Sequence, residues 1–264
     1  MQLFRSILSR RMLALILCAV LISVNAFTSV KVFAKVCTNQ PAFRCTANKQ
    51  AEADQAHNND LAITAKAAVL IDNASGRILY AKNKDKKLIP ASITKIMTLL
   101  LIFESIEQGK CKLEDKVTVS EYAASMGGSQ VFLEPGETQD VNTMIKCISI
   151  ASANDAAVAM AEHLAGSEQS FVKRMNKKAK ALGMKHTHFK NCNGLDDSIE
   201  SGHYSSASDV ALMSQSLVSK YPDISKYSTV WMDAITHITK KGKKKFGLTN
   251  TNKLIRTYQG ITGL

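Results

Sequence analysis

Four prolines and one tryptophan in 264 residues, with no C-x-x-C pair, no H-E-x-x-H and no low-complexity tract, remove several readings at once. Without those local ligand spacings there is no zinc signature, and His186-Thr-His188 alone reads as loop polarity. The expectation is a protein with no metal and no cofactor. Acidic residues are also few, 22 against 34 lysines and arginines, for a formal charge of +12. A basic surface suits nucleic acid, anionic wall polymers or lipid headgroups. Yet no helix-turn-helix, RNP or zinc-finger pattern is present, and the run Lys240-Lys-Gly-Lys-Lys-Lys245 has no interleaved aromatics, so nucleic acid is not an expected partner. That run reads as an exposed turn or hairpin tip.

What is present begins at the N-terminus. Arg5, Arg10 and Arg11 precede the apolar run from Met12 to Val24, the charged and hydrophobic regions of an export signal. The run is short for a full membrane span. Cleavage fits after Ala26 or Ala34, the latter preferred, which assigns 1–34 to a signal peptide and places the mature chain outside the cytoplasm. Residues 35–62 are polar and alanine-rich, a leader or linker. The remaining 63–264 form one domain. Loss of Cys18 with the signal leaves Cys37, Cys45, Cys111, Cys147 and Cys192, an odd set with at least one free thiol. Cys37 and Cys45 are close enough in sequence to bridge.

Two β-rich runs, 67–71 and 77–81, flank a turn ending in Gly76 and predict a hairpin. A helix should run from Ala91 to a glycine cap at Gly109, followed by loops and small elements to Pro135. Further helices are expected over 141–150, 155–165 (stopped at Gly166), 168–182 (stopped at Gly183) and from the Ser205–Asp209 cap to Leu217. Strands should cover 229–238 and 246–249. A hairpin, a block of helices and returning strands imply an α/β (α+β) fold: one antiparallel sheet interrupted by a helical subdomain, with a cleft between them.

The chemistry concentrates at Ser92-Ile-Thr-Lys95, which opens an apolar helix just after Pro90. A serine hydroxyl needs a base within hydrogen-bond reach to act as a nucleophile at neutral pH. Residues three apart on a helix face the same way, so Lys95 can serve Ser92 if a dry site keeps its amine neutral. A helix N-terminus also points free N–H groups at an oxyanion formed on an acylated serine. The spacing alone is weak, since Ser170-Phe-Val-Lys173 repeats it inside an ordinary amphipathic helix. Ser92 differs in its company: Pro90, a helix apolar nearly all round, and Ser152-Ala-Asn154-Asp155 some sixty residues on. By itself Ser-x-Asn is a common helix cap.

Seven blocks in order resemble the serine-type D-Ala-D-Ala carboxypeptidases, the low-molecular-mass penicillin-binding proteins with a β-lactamase/transpeptidase-like fold. They are Asn73 to Tyr80, Pro90 to Thr98, Gly128 to Gly136, Ser152 to Ala157, Asn193 to Asp196, His203 to Asp209 and Asn250 to Leu254. The resemblance implies Ser92 as nucleophile, Lys95 as its base, Ser152 hydrogen-bonded into the pair as proton relay, and Asn154 orienting the substrate amide. It implies peptidoglycan stem peptides as substrate, β-lactams as inhibitors, and structural roles for His203 and Asp209. The family's third block, Lys-Thr-Gly, is expected just past Leu264, because Asn250 to Leu254, Tyr258 and Gly260 to Leu264 match the residues leading to it. Without that second cation Lys95 should be protonated more often, and without the strands beyond, the sheet should carry an open edge and a partly uncovered core. Two rivals remain: an inactive wall-associated relative of the same fold, and a β-lactamase. The latter needs a deacylating glutamate, and neither Glu168 nor Glu200 stands in a Glu-x-x-x-Asn frame.

Overall fold

The structure, a computed structural model, describes residues 61–196, 201–240 and 242–261. The expected signal segment, the leader up to residue 60 and the Cys37/Cys45 pair lie outside them. No helix among the described residues is long and apolar enough to cross a membrane.

The first hairpin forms as its pattern predicts. Strand β1 (Ala68–Ile71) pairs antiparallel with β2 (Ile78–Lys82), with an irregularity between Leu70 and Ile71. Asp72 closes the turn: its carboxylate accepts the Ser75 N–H at 2.8 Å, and its carbonyl the N–H of Gly76, which sits at φ +70°. Beyond Pro90 a 3-10 turn (Ala91–Thr94) feeds α1 (Lys95–Glu107). Its Met97 and the run Leu99 to Phe103 are all buried, so α1 is the central post of the domain. Gly109, at φ +66°, ends it.

Strand β3 (Lys116–Thr118) pairs with β4 (Thr138–Asp140) around the short α2 (Glu121–Ala124). Helix α3 (Val141–Ala151) starts at Asp140, whose side chain accepts the Thr143 N–H at 2.7 Å. Helix α4 (Asn154–Ala165) stops at Gly166, and α5 (Glu168–Ala181) is capped by Ser167. Buried Ala156, Ala157, Ala159 and Ala161 let α4 pack against α1, α3 and α5 together. Helix α6 (Ala207–Lys220), capped by Ser206, packs on α1. After α7 (Ser225–Ser228) come β5 (Met232–Thr239), β6 (Gly242–Thr249) and α8 (Leu254–Thr257).

The mixture of helices and antiparallel strands is the expected one, but the pairing is distributed. The described strands make three separate two-stranded ladders, β1–β2, β3–β4 and β5–β6. Leu70, Ile78, Ile89 and Ile93 are exposed. The lysine run is not confined to a hairpin tip. Lys243, Lys244 and Lys245 belong to β6, opposite Ile238, His237 and Thr236, and all three are exposed. A strand paired on one side only can carry charge at successive positions, and lysine there discourages edge-to-edge pairing.

Candidate active site

The turn carrying Ser92 is strained. Ala91 sits at φ +46°, unusual for a residue with a Cβ, and such strain persists only where surroundings enforce it. Here the enforcing neighbour is Gly194, at φ +84°: a Cβ on it would lie 1.8 Å from the Ala91 carbonyl oxygen. The result presents Ser92 outward while the first turn of α1 buries Lys95, which is 3% exposed. Lys95 Nζ lies 3.3 Å from Ser92 Oγ and donates to the Asn193 carbonyl at 2.7 Å. Burial pulls the Lys95 pKa down to about 8, against an opposing pull from Cys192 and Asp155. Burial also holds the Cys192 thiol protonated. Desolvation therefore suffices to bring a neutral amine within reach of Ser92 near physiological pH.

The loop that supplies the Asn193 carbonyl is clamped from several sides. Thr98 Oγ1, one turn beyond Lys95, donates to the Cys192 carbonyl. The Glu168 carboxylate, at the start of α5, accepts the Cys192 N–H at 2.9 Å and the Tyr122 hydroxyl at 2.8 Å. Asn191 accepts the Gly194 N–H at 2.8 Å. His203 accepts the Lys190 N–H at Nδ1, so its proton lies on Nε2, which donates to Thr94 Oγ1 at 2.9 Å. His203 is thus a strut between this loop and the nucleophile turn. Asp209, which accepts the His186 N–H and the Thr187 hydroxyl, is likewise structural. Glu168, Thr98 and the backbone of Asn193 escaped the sequence reading; the conspicuous Asn193 to Asp196 block was the available signal.

Ser152 caps α3 in the left-handed conformation, φ +56°. It lines the same cavity as Ser92 and Lys95, about 590 Å³, with Thr251 and Asn252 also on its wall. It makes no hydrogen bond to Ser92 or Lys95 among the described residues, so the expected three-way bond is not formed; the cavity lies between them. Asn154 is 4% exposed. Its Nδ2 donates to the Gly127 carbonyl at 2.8 Å, while its Oδ1 is buried without a partner. A buried acceptor of this kind needs a donor, and a ligand amide N–H would supply one. Ser170 and Lys173 of the second Ser-x-x-Lys lie on α5, with Lys173 exposed and Ser170 bonded to Ser167, an ordinary helix start.

Asp155 ties the segment from Val131 to Leu133 to the start of α4. Its buried carboxylate accepts the N–H groups of Val131 and Leu133, each at 3.1 Å, and that of Ala156 at 2.9 Å. Burial raises its pKa and these bonds oppose the rise. Asp155→Ala orphans two buried loop donors, so we expect a loss of roughly 2–4 kcal/mol, read as a lower urea midpoint.

The profile of the D-alanyl-D-alanine carboxypeptidase family matches residues 50–264. The chain belongs to this family. Among carboxypeptidase relatives, D-alanyl-D-alanine carboxypeptidase DacF of Bacillus subtilis is 54% identical over 214 residues, covering 81% of this chain and 53% of that protein. In structure, the carboxypeptidase DacD of Francisella tularensis superposes with TM-score 0.70 at 28% identity, over 76% of this chain and 59% of that one. Penicillin binding protein 6B of Escherichia coli gives TM-score 0.64 at 31% identity, over 73% and 59%. The chain spans about half the length of the curated carboxypeptidases it matches.

Proposed function

We propose that this chain acts as a serine D-Ala-D-Ala carboxypeptidase that trims peptidoglycan stem peptides and is acylated by β-lactams. One observation carries the reading: a buried amine with its pKa near 8 lies 3.3 Å from an exposed serine hydroxyl. Ser92 Oγ attacks the carbonyl between the two D-alanines as Lys95 takes its proton. The Ser92 N–H, near the start of the turn, stabilises the oxyanion. The C–N bond then breaks as Ser152 gives its hydroxyl proton to the departing D-alanine amine and takes one from the Lys95 ammonium, which returns to the neutral amine. Asn154 Oδ1 receives the substrate amide N–H. Water finally hydrolyses the ester on Ser92.

Relatives named for this activity, together with the arginine-flanked apolar N-terminus, support export and action outside the cytoplasm. The exposed lysines of β6 support contact with anionic wall polymers or a membrane surface. Labelling with a fluorescent penicillin, alongside D-alanine release from an acyl-D-Ala-D-Ala peptide, tests the assignment. A covalent band absent from Ser92→Ala is expected. No band in the parent would leave the inactive wall-associated reading in its place. Rapid turnover of the penicillin itself would instead favour a β-lactamase.

A further inference from the structure

Away from the catalytic cavity, the fold brings a distant histidine to two metal-ligating side chains of one turn. The Cys111 sulfur, an Asp115 carboxylate oxygen and a His163 ring nitrogen all lie within 4.8 Å of one another. Cys111 is 2% exposed, Asp115 is half-buried and His163 is exposed, so the cluster opens to solvent on one side. We propose that Cys111, Asp115 and His163 form a Zn²⁺-class metal site that pins the turn before β3 to the end of α4.

The scaffold is set before any ligand arrives. The turn 112–115 is closed by the Lys112 N–H donating to Asp115 Oδ2 at 2.8 Å and by the Asp115 N–H donating to the Lys112 carbonyl at 3.2 Å. It is tied to α3 by the Val141 and Asn142 N–H groups, which donate to the carbonyls of Asp115 and Leu113. Asp115 Oδ1 stays available, and His163 bonds to no other described side chain. His163 stands in the last turn of α4, where the helix dipole favours positive charge.

Ligand chemistry selects the ion. Zinc–sulfur, –nitrogen and –oxygen bonds of about 2.0–2.3 Å at tetrahedral angles put donor atoms roughly 3.3–3.7 Å apart. Closing from 4.8 Å needs about 1 Å of movement, available from rotation of the exposed imidazole and the carboxylate. A thiolate and an imidazole exclude Mg²⁺ and Ca²⁺ and suit Zn²⁺ or Co²⁺, with water as fourth ligand. As the sulfur–metal bond forms, the Cys111 thiol releases its proton to solvent. His163 stands nine residues along α4 from Asn154, about 13 Å at the helical rise, so the ion would brace the helix that carries Asn154 and not touch substrate.

Titrating the purified, reduced chain with Co²⁺ tests this. The expected result is a thiolate-to-cobalt charge-transfer band saturating at one equivalent and displaced by Zn²⁺. Cys111→Ser should lose the band. His163→Ala, which leaves the core untouched, should weaken Co²⁺ binding by more than about tenfold. Zn²⁺ should also raise the melting temperature of the parent but not of His163→Ala. Absence of the band, or an undiminished band in Cys111→Ser, would overturn the site, as would unaltered Co²⁺ affinity in His163→Ala.

Discussion

Lys95→Met slows acylation of Ser92 by about 10²–10⁴-fold, the range for loss of a positioned general base. The substitution keeps the length and packing of the side chain and removes only the amine 3.3 Å from Ser92 Oγ. Lys95→Arg should not restore the rate, because a guanidinium stays protonated and has no lone pair to offer. The parent's rate should follow the neutral fraction of Lys95. With a pKa of about 8 that fraction is about one in ten at pH 7, so acylation by a fluorescent penicillin should rise nearly tenfold from pH 6 to 7 and level off above pH 8. The same shift has a signature independent of chemistry. Below pH 8 the amine is protonated in both folded and unfolded chains, and its burial costs the fold about 3 kcal/mol. From pH 8 to 10.5 only the unfolded chain still binds that proton, so the urea midpoint of the parent should rise relative to that of Lys95→Met, in which every other titrating group is shared. A parent whose labelling rate ignores pH would remove Lys95 from the role of base.

The pairing of Ser92 with Lys95 was legible because both residues share one turn of one helix, and helical geometry converts a spacing of three into proximity. Helix limits were legible for the same local reason: Gly109, Gly166 and Gly183 adopt positive φ where the pattern stops. Contacts across the chain were not. That Asn193 holds the Lys95 amine, and that Glu168 and Thr98 hold the Asn193 loop, depends on segments 24 to 98 residues apart meeting in the fold. Ser152 shows the opposite error. Its motif placed it correctly on the cavity wall, yet a hydrogen bond to the pair does not follow from lining the same space. The Cys111, Asp115 and His163 cluster could not be seen at all, since the ligands sit on a turn and a helix separated by four other elements. Lysines at three successive strand positions also defeat any alternation rule, which holds only where one face is buried.

Gly194→Ala should cost at least about 10²-fold in acylation rate, although residue 194 offers no side chain to the chemistry. Two separate penalties apply. At φ +84° a residue with a Cβ is strained by roughly 1–2 kcal/mol, which lowers stability alone. The second penalty falls on the site: the new Cβ would meet the Ala91 carbonyl oxygen at 1.8 Å and its carbon at 2.3 Å, both backbone atoms. Backbone cannot swing aside as a flexible side chain would. Ala91 must move, and Ser92 is the next residue, so the hydroxyl shifts relative to Lys95 Nζ. A displacement of about 1 Å at a reacting atom is enough for a loss of that size. Gly109→Ala separates the two penalties, because Gly109 also has positive φ, +66°, but nothing lies within 4 Å of a Cβ there. Both variants should show a lower urea midpoint, and only Gly194→Ala should lose fluorescent-penicillin labelling. Equal labelling rates in the two would mean that the strained Ala91 turn is not what aims Ser92.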